Sequence, residues 1–239
     1  MRRDPTPDAG EIRLAVPSAH LKGNLEVPSP VQGLVVFAHG SGSSRKSPRN
    51  QFVARRLREA GLATLLMDLL TPEEEALDLE RAHLRFDIAF LAGRLLAATD
   101  WVRRQDSVRG LPLGYFGAST GAAAALLAAA ERGEAVGAVV SRGGRPDLAG
   151  PALHRVVAPT LLVVGGADPE VLELNRAALA GLRCEKDLRI VPGASHLFTE
   201  PGALEEVARL AAAWFRRHLG KPEWAPSSSD RLDASIRGE

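Results

Sequence analysis

Hydrophobic positions along this chain fall into two alternating rhythms. Short, continuous apolar runs recur at Gly33–Ala38, Ala63–Met67, Leu113–Phe116, Val136–Val140, Thr160–Val164 and Leu188–Val191. Runs that are apolar on both sides of the pleat predict strands buried in a parallel sheet. Between them lie Phe52, Val53, Leu57 and Ala60, then Leu84, Ile88, Leu91, Leu95 and Val102, then Ala122 to Ala130, Val171 to Leu182 and Val207 to Leu219. Their spacing predicts helices with one apolar face. Two more strands, Glu11–Val16 and Leu21–Val27, precede the series. The alternation predicts an α/β fold, with a mostly parallel central sheet covered by helices on both faces. Sheets of this kind place their sites beyond the carboxyl ends of the strands.

Both ends lose the rhythm. Residues 1–10 hold Arg, Asp and Pro, and residues 221–239 hold Pro222, Pro226 and Ser227 to Ser229, so both are expected to be flexible ends around one domain at residues 11–220. With 239 residues, 45% of them hydrophobic, the chain is long enough to bury a full core. A formal net charge of +1, with the basic residues interspersed, speaks against nucleic-acid binding. One cysteine, Cys184, excludes an internal disulfide, and no apolar run approaches a signal sequence or a membrane span. The expectation is a cytoplasmic monomer or homodimer without membrane partners.

The candidate chemistry sits between the third continuous run and the alanine-rich helix. Gly117-Ala118-Ser119-Thr120-Gly121 is a GxSxG pentapeptide in a strand-to-helix context, which nominates Ser119 as a nucleophile on a strained turn. A serine hydroxyl needs a histidine to take its proton and a carboxylate to hold that imidazole. Asp168 follows one late strand through Gly165-Gly166-Ala167, and His196 follows the last through Pro192-Gly193-Ala194-Ser195. The chain order Ser, Asp, His is one of the orders in which such a triad occurs. Asp168 precedes Pro169, so it also reads as a helix cap, with Asp147 as the alternative acid. The oxyanion of an attacked carbonyl needs two backbone donors. Thr120, at the start of a helix, offers one, and the loop His39-Gly40-Ser41-Gly42-Ser43-Ser44 offers Ser41 as the other. His39 is read as organising that loop. Arg142 and Arg145 follow the fourth run of the series and are candidates for binding an anionic group on the substrate. No histidine pair has zinc-ligand spacing, so no metal site is expected.

On His39-Gly40, the Gly117 to Gly121 elbow, Gly165 to Asp168 and Gly193 to His196, the chain resembles an α/β-hydrolase of the dienelactone hydrolase family over about residues 11–219. The resemblance implies hydrolysis of small esters or lactones through an acyl-enzyme, without metal or cofactor. The same triad would serve an acyltransferase or peptidase, and the scaffold alone would serve a binding domain. Two departures separate this chain from the founding enzymes, which carry cysteine in the elbow and glutamate in the oxyanion loop. A subset with a similar Gly-Ser-Gly loop occurs joined to phosphoribosyltransferase-like domains. The stretch between the strand ending near Ser141 and the one starting near Thr160 is too short for a separate lid besides a helix, so no large cap domain is expected.

Overall fold

The computed structural model describes residues 10–17 and 19–220. Eight strands form one sheet: β1 (Glu11–Val16), β2 (Ala19–Glu26), β3 (Gly33–Ala38), β4 (Leu62–Met67), β5 (Leu113–Ala118), β6 (Ala138–Arg142), β7 (Thr160–Gly165) and β8 (Lys186–Val191). Their order across the sheet is β1-β2-β4-β3-β5-β6-β7-β8. β1 and β2 pair antiparallel, as do β2 and β4, and every later pairing is parallel.

Side-chain alternation along each strand divides the core. Leu34, Val36 and Tyr115 point to one face, where α3 (Ile88–Val102), α4 (Thr120–Arg132) and α5 (Pro169–Gly181) pack. Val35, Phe37 and Phe116 point to the other, covered by α1 (Pro48–Glu59) and α6 (Ala203–Leu219). α6 has the strongest segregation of its faces, burying Val207, Ala211, Phe215 and Leu219. Each large apolar side chain so buried stabilises the fold by about 2 kcal/mol relative to exposure. β5 lies at the centre, and its Tyr115 hydroxyl bonds Thr99 Oγ1 at 2.8 Å, while Thr99 Oγ1 donates to Leu95 O at 2.8 Å. This short relay gives a buried phenol a partner and ties β5 to α3.

Several boundaries differ from the sequence expectation. β6 starts and ends later than its apolar run, because Val136 and Gly137 close the preceding turn while the polar Ser141 and Arg142 continue the ladder opposite Gly117 and Ala118. Arg142 therefore lies within a strand rather than in the loop beyond it. β8 begins at Lys186 because it is an edge strand with exposed polar residues, and β2 takes in Ala19 and His20 through its pairing with β1. An additional helix, α2 (Pro72–Arg81), follows β4; Thr71 and Glu74 form its capping box. The β6–β7 crossover carries no lid, only 3-10 turns over Pro146–Arg155 kinked at Gly150, where φ is +51°. Of the flexible ends expected at residues 1–10 and 221–239, all but Gly10 lie outside the described residues. Among the described residues no helix is long and apolar enough to cross a membrane.

Candidate active site

Ser119 stands between the last residue of β5 and the first of α4, with φ +51° and ψ −125°. This conformation is costly for a residue with a Cβ and marks a turn over-determined by its surroundings. The surroundings are backbone: Ser119 N–H donates to Arg142 O at 3.3 Å, and Ser119 O accepts from Ala122 N at 3.0 Å and Arg145 N at 3.1 Å. Glycine on either side is a packing requirement. A Cβ at Gly117 would sit 2.4 Å from Ala122 Cα, and one at Gly121 would sit 2.2 Å from Ala38 O. α4 can approach this closely because its sequence is mostly Ala, so the helix N-terminus is pressed against the sheet edge.

Asp168 occupies the N-cap position of α5 but makes no cap hydrogen bond. Its Oδ2 instead lies 2.7 Å from Nδ1 of His196. Two backbone bonds set that meeting: Gly166 N–H donates to Val191 O at 2.8 Å, and Ala167 N–H donates to Ala194 O at 2.9 Å. The loops after β7 and β8 are thereby fastened together. Beyond the histidine, Ser195 N–H donates to Glu200 Oε2 at 3.0 Å, and Phe198 turns the chain with φ +56°. The bonds from Ser195 hold the Glu200 carboxyl below the usual carboxylate range. Sequence reasoning passed over both Glu200 and Phe198. A surface glutamate has no periodicity to flag it, and the apolar Phe198 reads as ordinary core. The other candidate acid, Asp147, is held elsewhere, because Arg145 grips it with Nε at 2.9 Å and Nη2 at 2.8 Å.

Ser119 follows β5, whereas Asp168 and His196 follow β7 and β8, with β6 between them in the sheet. Ser119 Oγ forms none of the hydrogen bonds found among the described residues. Gly40 lies against the serine and Gly143 against the histidine: a Cβ on Gly40 would come within 3.6 Å of Ser119 Oγ, and one on Gly143 within 3.7 Å of His196 Cε1. The His196 side chain is 39% exposed, and its Nε2 forms none of the hydrogen bonds found among the described residues.

The loop expected to hold the oxyanion, Gly40 to Ser44, lies against α4. Thr120 is the first residue of that helix, so its N–H has no intrahelical acceptor. The Ser41 N–H, expected to be free, donates to Thr120 Oγ1 at 2.9 Å instead. A threonine hydroxyl at the elbow competes for the very donor that the sequence assigned to substrate. His39 is fixed from both sides, its Nδ1 donating to Gly40 O at 2.9 Å and its Nε2 accepting from Leu69 N–H at 3.1 Å. Desolvation keeps this imidazole below its usual pKa, outweighing the Gly40 carbonyl, Asp68 and Glu75. Beside the loop opens a cleft of about 170 Å³ bounded by Ser41, Thr120, Leu70, Leu79, Leu91 and Arg85.

The two candidate arginines part company. Arg145 is neutralised by Asp147. Arg142 is 7% exposed, and its Nε and Nη1 have no partner among the described residues. Cys184 is half-buried beside Thr160, and desolvation raises its thiol pKa. No group of three or more His, Cys, Asp or Glu side chains converges as a metal site among the described residues.

The family model described as the dienelactone hydrolase family matches residues 20–219. A crystal structure of dienelactone hydrolase from Anabaena variabilis is 59% identical, with TM-score 0.86, covering 87% of this chain and 97% of that one. Two curated Mycobacterium tuberculosis proteins, from strains CDC 1551 / Oshkosh and H37Rv, are 56% identical over 219 residues and are provisionally named phosphoribosyl transferases. Those alignments cover 92% of this chain and 48% of theirs, so the chain spans about half the length of the curated relatives it matches. Est1E from Butyrivibrio proteoclasticus shares the fold at TM-score 0.74 and 18% identity, over 89% of this chain and 100% of that one.

Proposed function

The chain belongs to the dienelactone hydrolase family, and from that premise we propose that it is a serine hydrolase of small carboxylic esters or lactones, working through an acyl-enzyme. The observation that carries the reading is a serine held at φ +51° after β5 together with a histidine–carboxylate pair at 2.7 Å after β7 and β8, all beyond the carboxyl ends of one parallel sheet. A strained elbow costs stability and persists where its geometry is used.

In the proposed reaction Ser119 Oγ attacks the carbonyl carbon as His196 Nε2 takes its proton. Asp168 holds the proton on Nδ1, leaving Nε2 as the base, and stabilises the imidazolium that forms. No hydrogen bond joins Ser119 Oγ to Nε2 before substrate arrives, which fits catalytic hydrogen bonds that tighten only when substrate is bound. The Thr120 N–H and the positive end of α4 face the developing oxyanion. The Ser41 N–H becomes the second donor once it exchanges Thr120 Oγ1 for the oxyanion. Collapse of the tetrahedral adduct expels the alcohol, which takes the proton from His196. Water, deprotonated by the same imidazole, then releases the acid.

The cleft beside the loop fits a compact acyl or alcohol group, and the absence of a cap domain among the described residues argues against long acyl chains. Dienelactone itself is not favoured, since Ser119 stands in the elbow and no acid lies in the loop Gly40 to Ser44. The test is serine-directed labelling with a fluorophosphonate, read by intact mass. One adduct on wild type and none on Ser119→Ala is expected. No adduct on either, or equal adducts on both, overturns the proposal.

A further inference from the structure

Arg142 is an unusual place to keep a charge. Its side chain leaves β6 towards the face shared by α1 and α6, where Val140 and Phe198 are buried. Its Nε and Nη1 have no acceptor among the described residues, and no carboxylate pairs with it there. The guanidinium carbon stands 6.0 Å from the centre of the Phe198 ring, which offers only a weak face-on attraction. The helix that covers this face, α1, carries a second cation in its first turn, Arg49, whose Nε is also buried without a partner among the described residues. Burial and that second cation pull Arg142 down to about 10, still charged at neutral pH. Buried cations are kept where something pairs them.

The location ties this pair to the nucleophile. Arg142 stands opposite Ala118 in the ladder, and its carbonyl accepts the Ser119 N–H at 3.3 Å. Phe198 follows His196 by two residues. Arg49 also borders a cleft with Ser43, Ser44 and Lys46, next to the oxyanion loop; Glu75 lines the same cleft without forming an ion pair with Arg49.

We propose that Arg142 and Arg49 form an anion subsite beside Ser119, and that the substrate is an ester or lactone carrying a phosphomonoester group. Two unpaired guanidiniums bring two positive charges, which match a phosphate dianion better than a single carboxylate, and their planar donors suit its oxygens. The assignment rests on the serine-hydrolase reading for the bond cleaved, but not for the binding of the anion.

The two are tested apart. Titration of inorganic phosphate into the Ser119→Ala protein, followed by calorimetry, reads the subsite whether or not the enzyme hydrolyses anything. Saturable binding that weakens about tenfold or more in Ser119→Ala/Arg49→Gln, as for loss of a charge-assisted contact, is expected. No binding, or binding indifferent to Arg49, overturns the subsite. Acetate at the same ionic strength is the second arm, and tighter binding of acetate overturns the phosphate assignment. In the active protein, kcat/KM is compared for a neutral aryl ester and its phosphorylated analogue. Arg142→Met should collapse the preference for the phosphorylated ester, whereas a purely structural role would lower both substrates alike and leave their ratio unchanged. If Arg142→Met fails to fold, Arg49→Gln carries the same ratio test.

Discussion

Asp168 stands at the head of α5 without capping it, its carboxylate turned 2.7 Å from His196 Nδ1. One residue could serve either role, and the two roles predict opposite outcomes for substitutions at this position. If the carboxylate orients the imidazole, Asp168→Asn lowers kcat by about 10²–10⁴, because the amide favours the wrong tautomer. Asp168→Ala should barely change stability, whereas loss of a working cap by that substitution would cost about 1 kcal/mol. Paired kinetics and urea denaturation decide it, and a stability loss with full activity would reject the orienting role.

Gly121 is where α4 meets the sheet. A Cβ there would lie 2.2 Å from Ala38 O and 2.4 Å from His39 O, both backbone atoms that cannot swing aside. Gly121→Ala should therefore destabilise by roughly 3 kcal/mol or more, at the high end for overpacking. Thermal unfolding checks it; a melting temperature equal to wild type would mean that the elbow is looser than this geometry.

His39 makes the oxyanion loop sensitive to acid. Its folded pKa is lowered chiefly by desolvation, so folding favours the neutral ring. That stability is fully present above the unfolded value of about 6.5 and is lost as pH falls through the lowered folded value. Protonation also places a hydrogen on Nε2, where the Leu69 N–H already points. Melting temperature measured from neutral to acidic pH should fall more steeply for wild type than for His39→Gln. Parallel curves would count against the linkage.

Tyr115→Phe removes the phenol but leaves Thr99 bonded to Leu95 O. The cost should be about 1 kcal/mol, that of one net hydrogen bond. A loss much larger than this in denaturant titration, with unchanged m-value, would show that Thr99 depends on the phenol as well.

The parts of this fold that could be read in advance are those with one physical cause. β3 was legible end to end because both of its faces are buried, so apolar residues run without a break. β8 was legible from Leu188 to Val191 but not over its first two residues, because Lys186 and Asp187 are charged residues on an edge strand. α2 had no apolar stripe, since Leu77 and Leu79 are exposed, yet Thr71, Pro72 and Glu74 spelled out its start. The approach of Asp168 to His196 followed from strand-end logic in a parallel sheet. Two facts about the site had no signal in the sequence. The Thr120 hydroxyl engages the Ser41 amide, and Arg142 lies inside β6 with its charge unpaired while Arg145 is matched by Asp147. Both depend on side-chain direction, which spacing along the chain does not encode.

The bonds from Gly166 to Val191 and from Ala167 to Ala194 make the carriers of Asp168 and His196 a single rigid strut. Widening of the cleft beside the loop after β3 is then left to its own walls, where Leu79 of α2 is exposed. Substrate range can drift through changes in those walls while the spacing of acid to base stays as the paired loops set it.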